Sequence, residues 1–363
     1  MSMFQRKEVA PILRKQEPAK TASAPSKETL PVKAPPKFGL TATNNEPVQK
    51  KDLLNEKKLE AARAFYTSKT EFTAEVICEM QTKLGIAATG AFDDATLQAI
   101  AKAQKAAGMT PDGMLGPKSL PKLFAHGLAT EEVEQEFAQD YLGVDWSSLK
   151  TADERGGKMV ELINKQLKAA GVPECAYRVE DLGDDSGQFD FTDWNILVGN
   201  DFLSKAKLTT KQLNDFANTV IHEARHAEQW FNMAQNLAGE GKKAKDIADE
   251  MGIPLRIAKA AVANPTGKQT VKHAVAKNWY ESVYGSGSEH REKTLGDEGT
   301  YEDYRNLPEE HDAWRVGDEF DVTLKKERKI KDKQEALKKK EAKKVAKAAK
   351  KAPKDTTEKK SKK

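Results

Sequence analysis

The chain has 363 residues, 38% of them hydrophobic and 32% charged, with a formal net charge of +4. That leaves room for about two domains of ordinary size once the polar stretches are set aside. Two cysteines, Cys78 and Cys175, exclude a disulfide framework. No run reaches the roughly 18 apolar residues of a membrane span, and the N-terminus shows no apolar core of a secretion signal.

From Met1 to about Leu54 the chain is rich in Pro, Lys, Ser and Thr, with prolines at Pro11, Pro18, Pro25, Pro31, Pro35, Pro36 and Pro47. Such a composition buries too little apolar surface to offset the entropy of ordering it, so residues 1–54 are expected to form a disordered arm. The next stretch, residues 60–128, carries three short helical patterns, Phe72 to Leu84, Asp93 to Ala107 and Pro117 to His126. Two junctions in it repeat each other. TGAFDDATL at Thr89–Leu97 and PDGMLGPKSL at Pro111–Leu120 both run Gly, one residue, a large apolar residue, a helix-start residue, then Thr or Ser before Leu. Asp93 in the first copy and Gly116–Pro117 in the second suit helix starts.

This pattern resembles the three-helix peptidoglycan-binding module through Val76, Gln81, Leu84, Gly85, Gly90, Phe92, Asp93, Thr96, Ile100, Gln104, Asp112, Gly113 and Gly116. The resemblance implies binding to bacterial cell-wall peptidoglycan, with Gln81, Asp93, Gln104 and Asp112 as the polar positions toward it. Ala103 stands where that family usually has an aromatic residue.

Residues 130–324 read as helix, strands, a long helix and further helices. GGKMVELINKQLKAAG carries Met159, Leu162, Ile163 and Leu167 at helical spacing and is followed by a Gly-Val-Pro turn and a strand. GQFDFTDWNILVGNDFL alternates Phe189 with Phe191, then Trp194, Ile196 and Val198, which predicts two short strands or one bent strand. The long helix opens with a capping box, Thr209 followed by Gln212. Leu213, Phe216, Val220, Ala224, Ala227, Phe231 and Ala234 form its apolar stripe, and Gly239 offers a stop.

On that helix TVIHEARHAEQWF places His222 and His226 one turn apart on one face, with Glu223 beside them. Two imidazoles at this spacing suit one Zn2+, and the adjacent carboxylate suits a general base. A third ligand must come from elsewhere, since no further histidine follows closely. YRNLPEEHDAWRVGDEF at Tyr304–Phe320 reads as a helix start, with Pro308 in its first turn. Glu310, three residues before the small Ala313, is the first choice there, with Glu309 and His311 as alternatives. His126, His273 and His290 are the remaining histidines.

HEARH and LPEEHDAW resemble the gluzincin type of metallopeptidase. The resemblance implies that His222, His226 and Glu310 hold zinc, that Glu223 moves the proton from water to the leaving amine, and that amide bonds are cut. It also implies an α+β zincin-like domain, mainly α with a small β-sheet, beside the all-α module. HEARHAEQWF, MGIP and YRNLPEEHDAW are similar to a domain of proteins associated with bacterial extracellular contractile injection systems. That similarity implies the injection apparatus as a partner and export to the wall or the extracellular space by that apparatus or by lysis.

Residues 325–363 hold 19 Lys/Arg against 6 Asp/Glu, a net of +13, which leaves −9 for residues 1–324. This tail is expected to be a solvated, partly helical arm that contacts anionic polymers. Three function classes follow: a zinc peptidase targeted to the cell wall, an injected effector protease acting on target-cell proteins, and a non-catalytic wall-binding or structural component.

Overall fold

The computed structural model describes residues 52–351, apart from residues 70, 184, 185, 206, 297 and 298. The expected disorder of the N-terminal arm thus falls outside the described residues up to residue 51, as does the tail from residue 352. The architecture is mostly helical with one three-stranded sheet, and no described helix is long and apolar enough to cross a membrane.

The first helices are α1 (Glu56–Tyr66), α2 (Ala74–Lys83), α3 (Asp94–Ala106) and α4 (Ser119–Leu123). Helix α1 was not expected from the sequence. It joins the module because residues 53 and 54 are already stitched to α3: Leu53 N and Leu54 N donate to Gln98 Oε1 at 3.0 and 3.1 Å, and Gln98 Nε2 donates to Leu54 O at 2.7 Å. The ordered unit therefore begins before residue 60. Asp93 caps α3 as expected, accepting from Thr96 N at 2.9 Å. Helix α4 starts two residues later than Pro117 suggested, and the Ser119 hydroxyl ties back to Met114 O at 3.0 Å.

A 3-10 turn, Gly127–Ala129, leads into α5 (Glu131–Gly143) and α6 (Ala152–Ala169). Helix α6 begins with a complete Thr151–Glu154 capping box. Strands β1 (Ala176–Glu180), β2 (Gly187–Asp190) and β3 (Asn195–Gly199) then form a sheet of order β1-β3-β2. β3 is parallel to β1 and antiparallel to β2, and its residues are buried throughout. Trp194, expected in the alternating strand, instead sits in the β2–β3 turn at φ 64°. Its ring is fully buried and its Nε1 donates to Pro173 O at 3.3 Å.

After α7 (Asn200–Leu203) comes α8 (Thr210–Gly239), which opens on the expected Thr209–Gln212 box. One apolar stripe was expected, yet the middle of α8 is covered on every side, from β2, α6, α10, α11 and α14. The remaining elements are α9 (Ala244–Met251), α10 (Leu255–Ala263), α11 (Val271–Val283), α12 (Ser288–Leu295), α13 (Tyr301–Arg305) and α14 (Pro308–Lys351). Helix α14 does not end near residue 324. It continues along α5, where Gln139 Nε2 donates to Glu327 Oε2 at 3.0 Å and Lys331 reaches Leu142 O, and only from residue 332 onward is every described side chain exposed. Both cysteines are unbridged, Cys175 buried and Cys78 partly so.

Candidate metal centre

Helix α8 presents His222 and His226, and the first turn of α14 crosses it with Glu310. The Nε2 atoms of the two histidines are 3.2 Å apart. Glu310 Oε2 lies 3.7 Å from His222 Nε2 and 3.5 Å from His226 Nε2. All three residues are buried, and Glu310 Oε2 has no hydrogen-bond partner. An ion with bonds of about 2.0–2.2 Å in tetrahedral geometry holds its donors roughly 3.3–3.6 Å apart, so this donor set fits zinc in type and in spacing. His222, Glu223 and His226 also form a buried group able to hold a metal ion.

The charges are mutually dependent. Burial opposes a charge on His226, but Glu310, Glu223 and Gln229 outweigh it and raise the imidazole to about 9. Burial likewise opposes ionisation of Glu310, and the two imidazoles override it, holding the carboxyl well below its usual range. The cluster thus favours a positive charge between the three side chains, which a proton or a metal ion could supply.

Glu223 stands one residue along the helix from the donors. Its Oε2 accepts from Phe189 N at 2.8 Å, so β2, the sheet edge nearest the helix, spends this N–H on Glu223. The close approach requires Gly187, where a Cβ would meet Thr219 Cγ2 at 2.7 Å.

The alternatives for the third ligand lie elsewhere. Glu309 is fully buried, with Oε1 accepting from Arg291 Nε at 2.8 Å and Oε2 from Ser282 Oγ at 2.7 Å. His311 turns to the other side of α14, where burial and Lys118 push it down to about 4. His126 meets Asn232 Nδ2 through Nε2 at 3.0 Å.

The sequence reading did not foresee the groups that hold the donors. His226 Nδ1 contacts Gln229 Oε1 at 2.9 Å, and Gln229 Nε2 donates to Glu309 O at 2.8 Å and to Asp312 Oδ2 at 3.1 Å. Arg225, fully buried one turn away, donates from Nε to Asp312 Oδ2 at 2.8 Å and from NH1 to Glu228 Oε2 at 2.7 Å. Asp312 Oδ1 accepts from Arg315 at 2.6 Å. Burial alone would raise the Asp312 carboxyl, but the two guanidiniums hold it below its usual value. Glu228 Oε2 also accepts from Leu128 N at 2.9 Å. Position 127 admits no side chain, since a Cβ there would lie 1.7 Å from Glu228 Oε1. The polar run Arg225, Glu228, Gln229 on an otherwise buried helix was the available signal for this network.

The four polar positions singled out in the module are used internally. Gln81 Nε2 donates to Thr89 Oγ1, Ala91 O and Thr96 Oγ1 at 2.8, 3.0 and 2.7 Å, while its Oε1 accepts from Gly90 N at 2.9 Å. Gln104 does the same in the second copy, donating to Asp112 Oδ1 and Met114 O at 2.8 and 2.9 Å and accepting from Gly113 N at 2.8 Å. Asp93 caps α3. Each amide closes a turn whose glycine, Gly90 at φ 70° or Gly113 at φ 76°, occupies the left-handed region. Two equivalent turns thus pin two helices by the same device.

Residues 84–123 match the family model of the peptidoglycan binding domain. No curated protein and no solved structure matches the chain. The matched segment takes in the second glutamine turn and most of the first, whereas the candidate metal centre lies wholly outside it.

Proposed function

We propose that the chain is a zinc-dependent peptidase held at the bacterial cell wall by its N-terminal helical module. The observation that carries this reading is the convergence of His222 Nε2, His226 Nε2 and Glu310 Oε2 within 3.7 Å of one another in a buried site. His222, His226 and Glu310 would hold the ion, and Gln229 would fix the His226 ring through Nδ1. A zinc ion there supplies Lewis acidity toward a carbonyl and lowers the pKa of water. Glu223 takes the proton from the attacking water and delivers it to the leaving amine. The module match supports the wall as the place of action, and the substrates of this reading are peptidoglycan stem peptides or proteins near the wall.

The test pairs metal analysis with muropeptide release from purified sacculi. The wild-type protein is expected to carry one zinc and to release peptide. Glu223→Gln is expected to keep zinc and lose about 10²–10⁴-fold in rate, whereas Glu310→Ala loses the metal itself. Full activity in Glu223→Gln would sink the mechanism, and absence of zinc from the wild-type protein would sink the enzyme reading.

A further inference from the structure

The peptide that leaves the module is not a free tether. The match to the peptidoglycan binding domain ends at residue 123, and three residues later the backbone enters the buried network beside the candidate metal centre. His126 O accepts from Arg225 Nη1 at 3.1 Å, and Leu128 N donates to Glu228 Oε2 at 2.9 Å. Gly127 between them has room for no side chain, since Glu228 Oε1 lies 1.7 Å from where a Cβ would be. Leu128 is fully buried, and the Thr130 hydroxyl closes the turn onto Gly127 O at 3.0 Å. A second grip lies on α11. Glu79 of α2 accepts from Val271 N at 2.8 Å in the first turn of that helix. Further along α11 the Trp279 ring centroid lies 5.2 Å from the Arg225 guanidinium carbon and 6.2 Å from the centroid of His126.

One shared oxygen carries these contacts to the centre. Asp312 Oδ2 accepts from Arg225 Nε at 2.8 Å and from Gln229 Nε2 at 3.1 Å. Gln229 in turn meets His226 Nδ1 through Oε1 at 2.9 Å and donates from Nε2 to Glu309 O, one residue before Glu310, at 2.8 Å. Arg225 is fully buried, and a buried guanidinium that loses an acceptor has to turn toward those that remain. Displacing the linker takes His126 O from Arg225 and Leu128 N from Glu228. The guanidinium then shifts its hold on Asp312 Oδ2, and the seat of Gln229 shifts with it.

We propose that the linker His126–Leu128 is a positioning element for His226, acting through Glu228, Arg225, Asp312 and Gln229 on the orientation of the imidazole. The connection from the module is thereby part of the support of a metal donor. The effect on the ring is independent of any ion; only its consequence for zinc rests on the peptidase reading.

The test is a double-mutant cycle on the full-length protein. Gly127→Ala pushes a methyl group into the Glu228 carboxylate, and Glu228→Gln removes the charge facing Arg225 without adding bulk, so failure of one variant to fold leaves the other to decide. With metal chelated, the nitrogen-15 signals of the His226 ring, assigned by their loss in His226→Ala, are expected to move in both variants and in Gln229→Ala. In the Gln229→Ala background neither substitution is expected to move them further. Unmoved signals in both single variants overturn the proposal. Shifts of the same size in both backgrounds overturn it too, because they mark a general loosening of the core. Zinc affinity in a chelator competition is expected to weaken about tenfold in Gly127→Ala, and by less than about twofold when the same change is made in Gln229→Ala. Equal weakening in the two backgrounds also counts against the linker. Should the wild-type protein bind no zinc, the peptidase reading falls and the metal-free signals still decide this one.

Discussion

The module and the metal domain both bury polar side chains at their centres, but they use them differently. In the module Gln81 and Gln104 are neutral amides, and every donor and acceptor they own is matched to a nearby turn. In the domain of the candidate metal centre, ionised side chains are buried beside neutral ones and tie elements far apart in sequence, as Arg225 ties to Asp312, and Glu310 Oε2 has no hydrogen-bond partner. A saturated polar network is a scaffold. One that leaves an electron pair unmatched among convergent donors can accept a ligand.

Asp312→Ala tests this contrast with the largest effect. It removes the buried carboxylate that Arg225 and Arg315 share and leaves each with one acidic partner, Glu228 and Glu319, so stability measured by chemical denaturation with metal chelated is expected to fall by about 3 kcal/mol. Gln229→Ala removes the group that fixes His226 and should weaken zinc binding about 10–100-fold in a chelator competition; unchanged affinity would deny Gln229 a role beyond packing. Gln104→Ala should cost about 1–3 kcal/mol while leaving zinc affinity untouched, and a zinc effect there would show that the two regions are not separable. The smallest effect concerns pH. Burial, with Arg225 and Lys272 adding to it, lowers His126 to about 4 against the pull of Glu228. A depressed histidine contributes stability that is fully present above its unfolded value of about 6.5 and is lost as pH falls through 4. Melting temperatures followed across that window should drop less in His126→Gln than in the wild-type protein.

Much of the local structure was legible because its causes are local. The Thr209–Gln212 box, the Asp93 cap, the paired glycine turns and the pair of short strands β2 and β3 each act within about ten residues, although the expected alternation placed Phe191 and Trp194 in strands where the chain turns, and His222 and His226 need only helical spacing to share a face. Glu310 was reachable from the sequence because Ala313, three residues on, permits a close crossing of α8. What stayed hidden depends on distance along the chain. Arg225 and Asp312 are 87 positions apart, and neither residue announces the other. Gly127 looks like any loop glycine until Glu228 is found filling the space of its missing side chain. Helix α14 runs past residue 324 because its inner face there meets α5, a contact that charge composition conceals behind lysines.

That single helix has a mechanical consequence. Glu310 sits in the first turn of α14, the body of the helix is laid along α5 and α8, and from residue 332 the helix runs on for about 30 Å at 1.5 Å per residue, its side chains exposed through residue 345. Whatever grips the projecting end holds a handle rigidly joined to one of the three donors. A displacement of α14 by a single residue's rise, about 1.5 Å, would carry Glu310 out of register with His222 and His226, so under the proposed function a pull on this continuous helix would take apart the candidate metal centre.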